Sequence, residues 1–275
     1  MALYLGKKRV APSVQVKVPS MKAFFDAGGK CAYSNATSFE GIIKYEDTSN
    51  VTDMTSMFNS CSSLTSIPLF DTSKVTNMDA MFINCRNLTS IPLFDTSNVT
   101  KMDDMFYSCS NLSFIPQIDT SNVVSMEGMF NSCSSLTSIP LFDTSKVTNM
   151  DAMFINCSNL SSIPQFNTSR VKMTNDMFKG CYRLTNIPSI DVSAVVRMNL
   201  MFYSCNSLTE IHMYGMKVDF DISSSTKFTR EALVEILNNL ATVTSTQTLT
   251  MRSTNLAKLT DEDKAIATGK GWTLA

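Results

Sequence analysis

The chain has 275 residues, with 23 basic and 24 acidic side chains and a formal net charge of −1. No basic block or stripe occurs, which argues against nucleic acid as a partner. No stretch approaches the roughly 18 apolar residues of a membrane-spanning helix, so no membrane insertion is expected.

The opening MALYLGKKRVAPS lacks the run of roughly 7–15 apolar residues that a signal peptide needs, so synthesis in the cytoplasm without an export signal is expected. Residues 2–5 (ALYL) and 14–18 (VQVKV) alternate in the manner of strands about a Gly6-Lys-Lys turn, and predict an arm or hairpin over residues 1–19. This arm is a candidate attachment segment to a larger assembly. Ser20 is placed to cap a helix over 21–27, ended by Gly28 and Gly29. Met21, Phe24, Phe25 and Cys31 echo a pattern that recurs further on, so residues 20–46 read as a degenerate first coil. Terminal units of a repeat array differ because one face meets water.

From residue 47 to 214 the chain repeats. The stretch 57–85 recurs letter for letter at 129–157, a shift of three periods of 24. The periods open at Asp47, Asp71, Asp95, Asp119, Asp143, Asn167 and Asp191. Such a period predicts a solenoid whose units bury apolar surface only against their neighbours. In the period 71–94 the recurring skeleton is Val75, Met78, Met81, Phe82, Cys85, Leu88, Ile91 and Phe94. The spacing of Met78, Met81, Phe82 and Cys85 (i, i+3, i+4, i+7) predicts one face of a short helix, with Thr76 and Asp79 as a capping box. Leu88 to Ile91 reads as a short parallel strand before a proline, with residues 75–78 as a second. Of the two, the Leu-x-x-Ile strand is preferred for the inner surface. Seven of the eight cysteines fall one per period, from Cys61 to Cys205. That spacing predicts reduced, buried thiols rather than a metal site. In the sixth period Met173 sits one place early and Thr174 takes the usual methionine position; Met173 and Met177 remain on one helical face.

Residues 215–275 leave the period and read as an α/β cap. Thr229 opens an amphipathic helix with Ala232, Leu233, Ile236, Leu237 and Leu240 inward. Residues 246–251 read as a strand, Thr260 and Asp263 as a capping box for a helix over 264–268, and 272–275 as a closing strand.

The residues offer little for catalysis. His212 is the lone histidine, at the end of the last repeat, and neither a Gly-rich phosphate loop nor an HExxH motif occurs. A non-enzymatic chain without a cofactor is expected. Asp71, Asp95, Asp119 and Asp143 form a column that could hold calcium between coils; the stronger reading is an Asp-Thr-Ser turn whose carboxylate accepts nearby backbone N–H groups. The Thr-Ser columns beside them read as solvated turns. Function is then expected where the skeleton is constant and the surface changes. The candidate partner-binding residues are Arg86, Tyr107, Phe114, Gln117, Gln165, Tyr182, Arg183 and Tyr203, since exposed tyrosine and arginine anchor binding patches.

The phrase FDTSKVTNMDAMFINCSNLSSIP and its seven-fold recurrence resemble the BspA-type leucine-rich-repeat surface proteins, in the branch carrying Phe-Asp-Thr-Ser-x-Val-Thr-x-Met. The tail LTDEDKAIATGKGWTLA and the opening LYLGKKRVAPSVQV resemble the ends of phage or prophage tail-associated proteins of gut anaerobes. The resemblance implies an α/β leucine-rich-repeat solenoid of seven 24-residue coils, with short parallel strands and short helices, capped at both ends. It also implies adhesion to a protein or glycan on a host cell surface. The location implied is a virion or, alternatively, a bacterial cell surface.

Overall fold

The computed structural model describes residues 48–275; the expected arm, the degenerate first coil and Asp47 lie outside the described residues. Short parallel strands and few helices make up the architecture. Single-residue parallel bridges run from Asp53 to Asn77, Lys101, Ser125, Asn149, Met173 and Arg197, each one full period beyond the last. Around each rung the backbone bonds both ways: the Thr100 N–H donates to the Thr76 carbonyl at 2.9 Å, and the Met78 N–H to the Lys101 carbonyl at 3.0 Å. The continuous ladder therefore lies on the Val-Thr-x-Met segment. The preferred Leu-x-x-Ile segment becomes a true strand pair only at the end of the array, where β1 (Asn186–Ile187) pairs in parallel with β2 (Glu210–Ile211). Earlier repeats keep isolated, longer bonds there, such as Thr89 N–H to the Thr65 carbonyl at 3.4 Å.

The helix expected over each Met-x-x-Met-Phe-x-x-Cys segment does not form. Consecutive turns take its place, and alternate N–H groups leave the segment for the next repeat. The N–H groups of Ala80, Phe82 and Asn84 donate to the carbonyls of Asp103, Met105 and Tyr107 at 2.7, 2.9 and 2.7 Å. The intervening ones close back three residues, as Met81 does on Met78 and Cys85 on Phe82. This alternation needs a left-handed residue twice per repeat, seen at Ala80 (φ 54°) and Asn84 (φ 61°) and at the equivalent positions from Ser56 to Ser204. A non-glycine residue in that region costs about 1–2 kcal/mol, which the extra bonds between repeats offset. An isolated helix of about seven residues would itself be marginal. With no helix to cap, Asp79 makes no capping box; its carboxylate accepts the Asp103 N–H of the next repeat at 2.9 Å.

The turns still turn the expected side chains inward. Val75, Met78, Met81, Phe82, Cys85 and Leu88 are fully buried, as are their counterparts in the central repeats. The rings of Phe58, Phe82, Phe106, Phe130, Phe154, Phe178 and Phe202 stack face to face, with successive centroids 5.3 to 6.1 Å apart. Beside them the cysteines do more than fill space. The Sγ of Cys85 donates to the Phe58 carbonyl at 3.0 Å, and Cys109, Cys133, Cys157, Cys181 and Cys205 repeat the contact at 3.0–3.1 Å. Those six thiols are free and buried. Cys61 is disulfide-bonded, which corrects the expectation of reduced thiols throughout.

Two more readings are revised. The threonines of the Asp-Thr-Ser turns are buried, not solvated. Thr48, Thr72, Thr96, Thr120, Thr144 and Thr168 each donate a hydroxyl to the carbonyl of residue 71, 95, 119, 143, 167 or 191, at 2.6–2.9 Å. Met173 does not join the core from a helical face; it takes a rung of the ladder at the surface. Thr174 fills the buried methionine seat and directs its hydroxyl to the Arg197 carbonyl at 3.3 Å.

Beyond the repeats, β3 (Phe220–Asp221), β4 (Gln247–Thr250) and β5 (Trp272–Leu274) form a parallel sheet in that order. Helix α1 (Arg230–Asn239) is capped by Thr229 and buries Leu233, Ile236 and Leu237. A single turn, α2 (Ser253–Leu256), had no signal in the periodicity. Helix α3 (Asp261–Thr268) carries the expected capping box, and Asp263 also accepts a two-pronged bond from Arg230, both contacts 2.7 Å. The last repeat meets the cap at His212. Its Nδ1 lies 2.6 Å from Glu235 of α1, and its Nε2 3.5 Å from Glu210.

Three outcomes follow from these contacts. Thr120→Val keeps the volume but orphans the Asp143 carbonyl, and should lower stability by about 1–3 kcal/mol in denaturant melts; an unchanged midpoint would remove the threonine column from the account. The six free thiols should resist alkylation at neutral pH until denaturant is added, because burial pushes Cys85, Cys157 and Cys205 up to about 12 and raises Cys109, Cys133 and Cys181 well above the ordinary thiol value. His212 is raised above its ordinary value of about 6.5, first by the hydrogen bond to Glu235. A folded value above the unfolded one stabilises fully below about pH 6.5 and ceases to as pH climbs through the folded value. The melting temperature of the native chain should thus fall toward that of His212→Gln over that window, and parallel curves would dismiss the clasp.

Candidate functional site

The cysteines of the central repeats are flanked on both sides by side chains that turn outward, and these flanks carry two of the singled-out residues, Arg86 and Tyr182. A shallow groove of about 460 Å³ runs across the repeats here. One wall comes from the residue before each cysteine (Ser108, Ser132, Asn156), the other from the residue after it (Ser110, Ser134, Ser158). Arg86 closes one end and Tyr182 the other; they occupy the same position four repeats apart. At a strand-like step of about 4.8 Å per repeat, the groove is about 19 Å long.

The polar groups of the groove divide into spent and free. Ser110 and Ser134 donate to carbonyls of the preceding repeat (Arg86 and Ser110, 3.3 and 3.2 Å), which leaves their lone pairs outward. Ser132 donates to Asn131 Oδ1 at 2.8 Å. The hydroxyls of Ser108 and Ser158 have no partner among the described residues, and the Arg86 guanidinium forms no ion pair there. Tyr182 is 48 % exposed. Such an arrangement binds and orients polar groups; among the described residues no nucleophile stands beside a base in it.

The other candidates fall elsewhere. Tyr107 is half-buried one position nearer the turn. Phe114 is exposed, and Gln117 and Gln165 share a different column with the exposed Leu69, Leu93 and Leu141. Gln117 is partly tied down, its Nε2 donating to the Leu141 carbonyl at 2.7 Å. Arg183 is exposed next to Tyr182. Tyr203 carries the Lys179 ammonium 5.9 Å above its ring, one repeat beyond the groove.

The Asp column follows the turn reading. Asp71, Asp95, Asp119 and Asp143 each accept the N–H of the serine two residues on, at 2.9–3.1 Å. Those bonds hold the carboxyls of Asp119 and Asp143 below the usual carboxylate range. No group of three or more His, Cys, Asp or Glu placed to hold a metal occurs among the described residues. A second acidic group spans two adjacent positions, Asp79 with its counterpart Asp103, and Asp104 beside it; burial raises the carboxyls of Asp79 and Asp104, and neighbouring charges add to the rise.

Sequence reasoning missed Ser108, Ser132 and Asn156 as groove residues. Their signal was the run of Ser, Asn and Gly before each cysteine (Ser60, Asn84, Ser108, Ser132, Asn156, Gly180, Ser204). Asn and Gly tolerate the left-handed region well, and that run marks where each turn reverses.

Comparison with known proteins comes down to the repeats. No curated protein matches the chain. Among solved structures, a leucine-rich repeat protein from Bacteroides ovatus ATCC 8483 is similar over 82 % of each chain at 15 % identity, with a TM-score of 0.25, a superposition too loose to define the fold. A family model matches residues 28–138 and 111–216, which is most of the chain and all of the described repeats. This chain belongs to the family described as Mycoplasma protein of unknown function, DUF285.

Proposed function

We propose that the chain is a non-enzymatic recognition module, a seven-coil solenoid capped at both ends, that attaches its carrier to a protein or glycan on a host cell surface. The observation that carries this reading is the contrast between inside and outside. The core columns hold nearly one residue type from repeat to repeat (Thr174, Ile118 and Ile190 are exceptions), while the position after the cysteine runs Arg86, Ser110, Ser134, Ser158, Tyr182. A fixed scaffold with a varied, hydroxyl-rich face suits binding, because rigid elements hold side chains in place without ordering cost. The module works without metal or cofactor. Its carrier is a phage or prophage tail, the N-terminal arm joining it to the virion; this part rests on the resemblance of the two chain ends. The BspA-type phrase of the repeats favours a second carrier, the bacterial cell surface.

Fluorescently labelled chain should bind intact bacterial cells saturably and be displaced by unlabelled chain. Arg86→Ala/Tyr182→Ala should weaken that binding about tenfold or more with an unchanged melting temperature. A chain that binds no cell type, sugar or protein tested would be a spacer instead. Mass spectrometry of particles released on prophage induction decides the carrier: peptides of this chain should co-purify with tails.

A further inference from the structure

Resting on that recognition reading, we infer that the groove between Arg86 and Tyr182 is a site for a linear acidic oligosaccharide of about four sugar rings. The step from one repeat to the next, about 4.8 Å, is close to the advance of one pyranose along an extended glycan. Hydroxyl and amide groups therefore recur along the walls in phase with the hydroxyls of successive sugars. Both roles are on offer: the Ser108 and Ser158 hydroxyls have no partner among the described residues and can donate, while Ser110 and Ser134 face outward as acceptors.

The two ends give direction. Arg86 is exposed and lacks an ion pair among the described residues, and a guanidinium matches a carboxylate or sulfate through two parallel N–H bonds. Tyr182 offers a half-exposed ring, apolar on its face and polar at its tip, suited to the C–H face of a sugar. The three serines between them are small enough to leave the floor open. An acidic peptide is the less favoured occupant. Peptides bind such surfaces by adding a strand to a free sheet edge or by filling apolar pockets. Here the backbone N–H groups of Phe106, Ser108, Phe130 and Ser132 already donate to the next repeat, and the groove walls are Ser and Asn.

The test uses the full chain and calorimetric titration with three probes. These are a uronic-acid tetrasaccharide, a neutral tetrasaccharide of the same linkage, and an acidic tetrapeptide. The acidic sugar should bind about tenfold or more tightly than the neutral one, and Arg86→Ala should erase that difference. Tyr182→Ala should weaken both sugars. Ser134→Tyr should block the groove; Tyr182 holds the same position in another repeat, so the variant keeps a side chain the fold accepts, and circular dichroism checks it. Acidic-sugar binding untouched by Ser134→Tyr overturns the site, as does tighter binding of the peptide than of either sugar. If cells still bind the Ser134→Tyr variant fully, the groove assignment fails while the recognition reading stands; loss of all cell binding by the native chain sinks the recognition reading itself.

Discussion

Everything in the repeat region follows from where the backbone amides send their hydrogen bonds. In a helix they would close within the segment, and each repeat would be able to shift against the next. Here alternate N–H groups reach sideways: Ala80 to Asp103, Phe82 to Met105, Asn84 to Tyr107. A buried backbone group left unpaired costs about as much as a lost hydrogen bond or more. Each repeat is therefore held at one offset, a single period, from its neighbour. The phenylalanine stack, the cysteine contacts and the threonine bonds are second consequences of that fixed offset, because identical side chains then sit directly above one another.

The same offset explains what the sequence could and could not disclose. The period, the inward columns and four elements of the C-terminal cap were legible because burial needs only a side-chain pattern, and Thr229 and Thr260 sign their helices by capping chemistry; β3 and α2 were too short to show. The turn over Met78 to Cys85 was not, since a chain of turns and a helix deliver the same i, i+3, i+4, i+7 spacing. What separates them is the sign of φ at Ala80 and Asn84, and alanine carries no mark of a left-handed backbone. Thr72 and Ser73 look alike in a turn, yet only the threonine is buried. Its role depends on a carbonyl in the following repeat, and no local pattern encodes that distance. Of the site, Arg86 and Tyr182 were legible as departures from a repeated position. The serine walls between them were not, because they differ from their neighbours only in being small.

Function inherits this division. A core that repeats with few exceptions leaves the position after each cysteine with little duty in folding, so a large or charged residue there disturbs little beneath. Arg86 and Tyr182 illustrate it: the cysteines beside them, Cys85 and Cys181, make the same bond to a phenylalanine carbonyl as those beside the serines. The face can therefore vary one position at a time at little cost in stability.

The identity of the stretches 57–85 and 129–157 carries this further. Recombination between the two copies would excise three whole periods in frame, and every interior column would close up again as though nothing were missing. The excision would remove Arg86 and Ser110 while sparing Ser158 and Tyr182, so the molecule would shorten and lose the basic end of its groove in one genetic event. The number of repeats is thus as mutable a trait as any single amino acid.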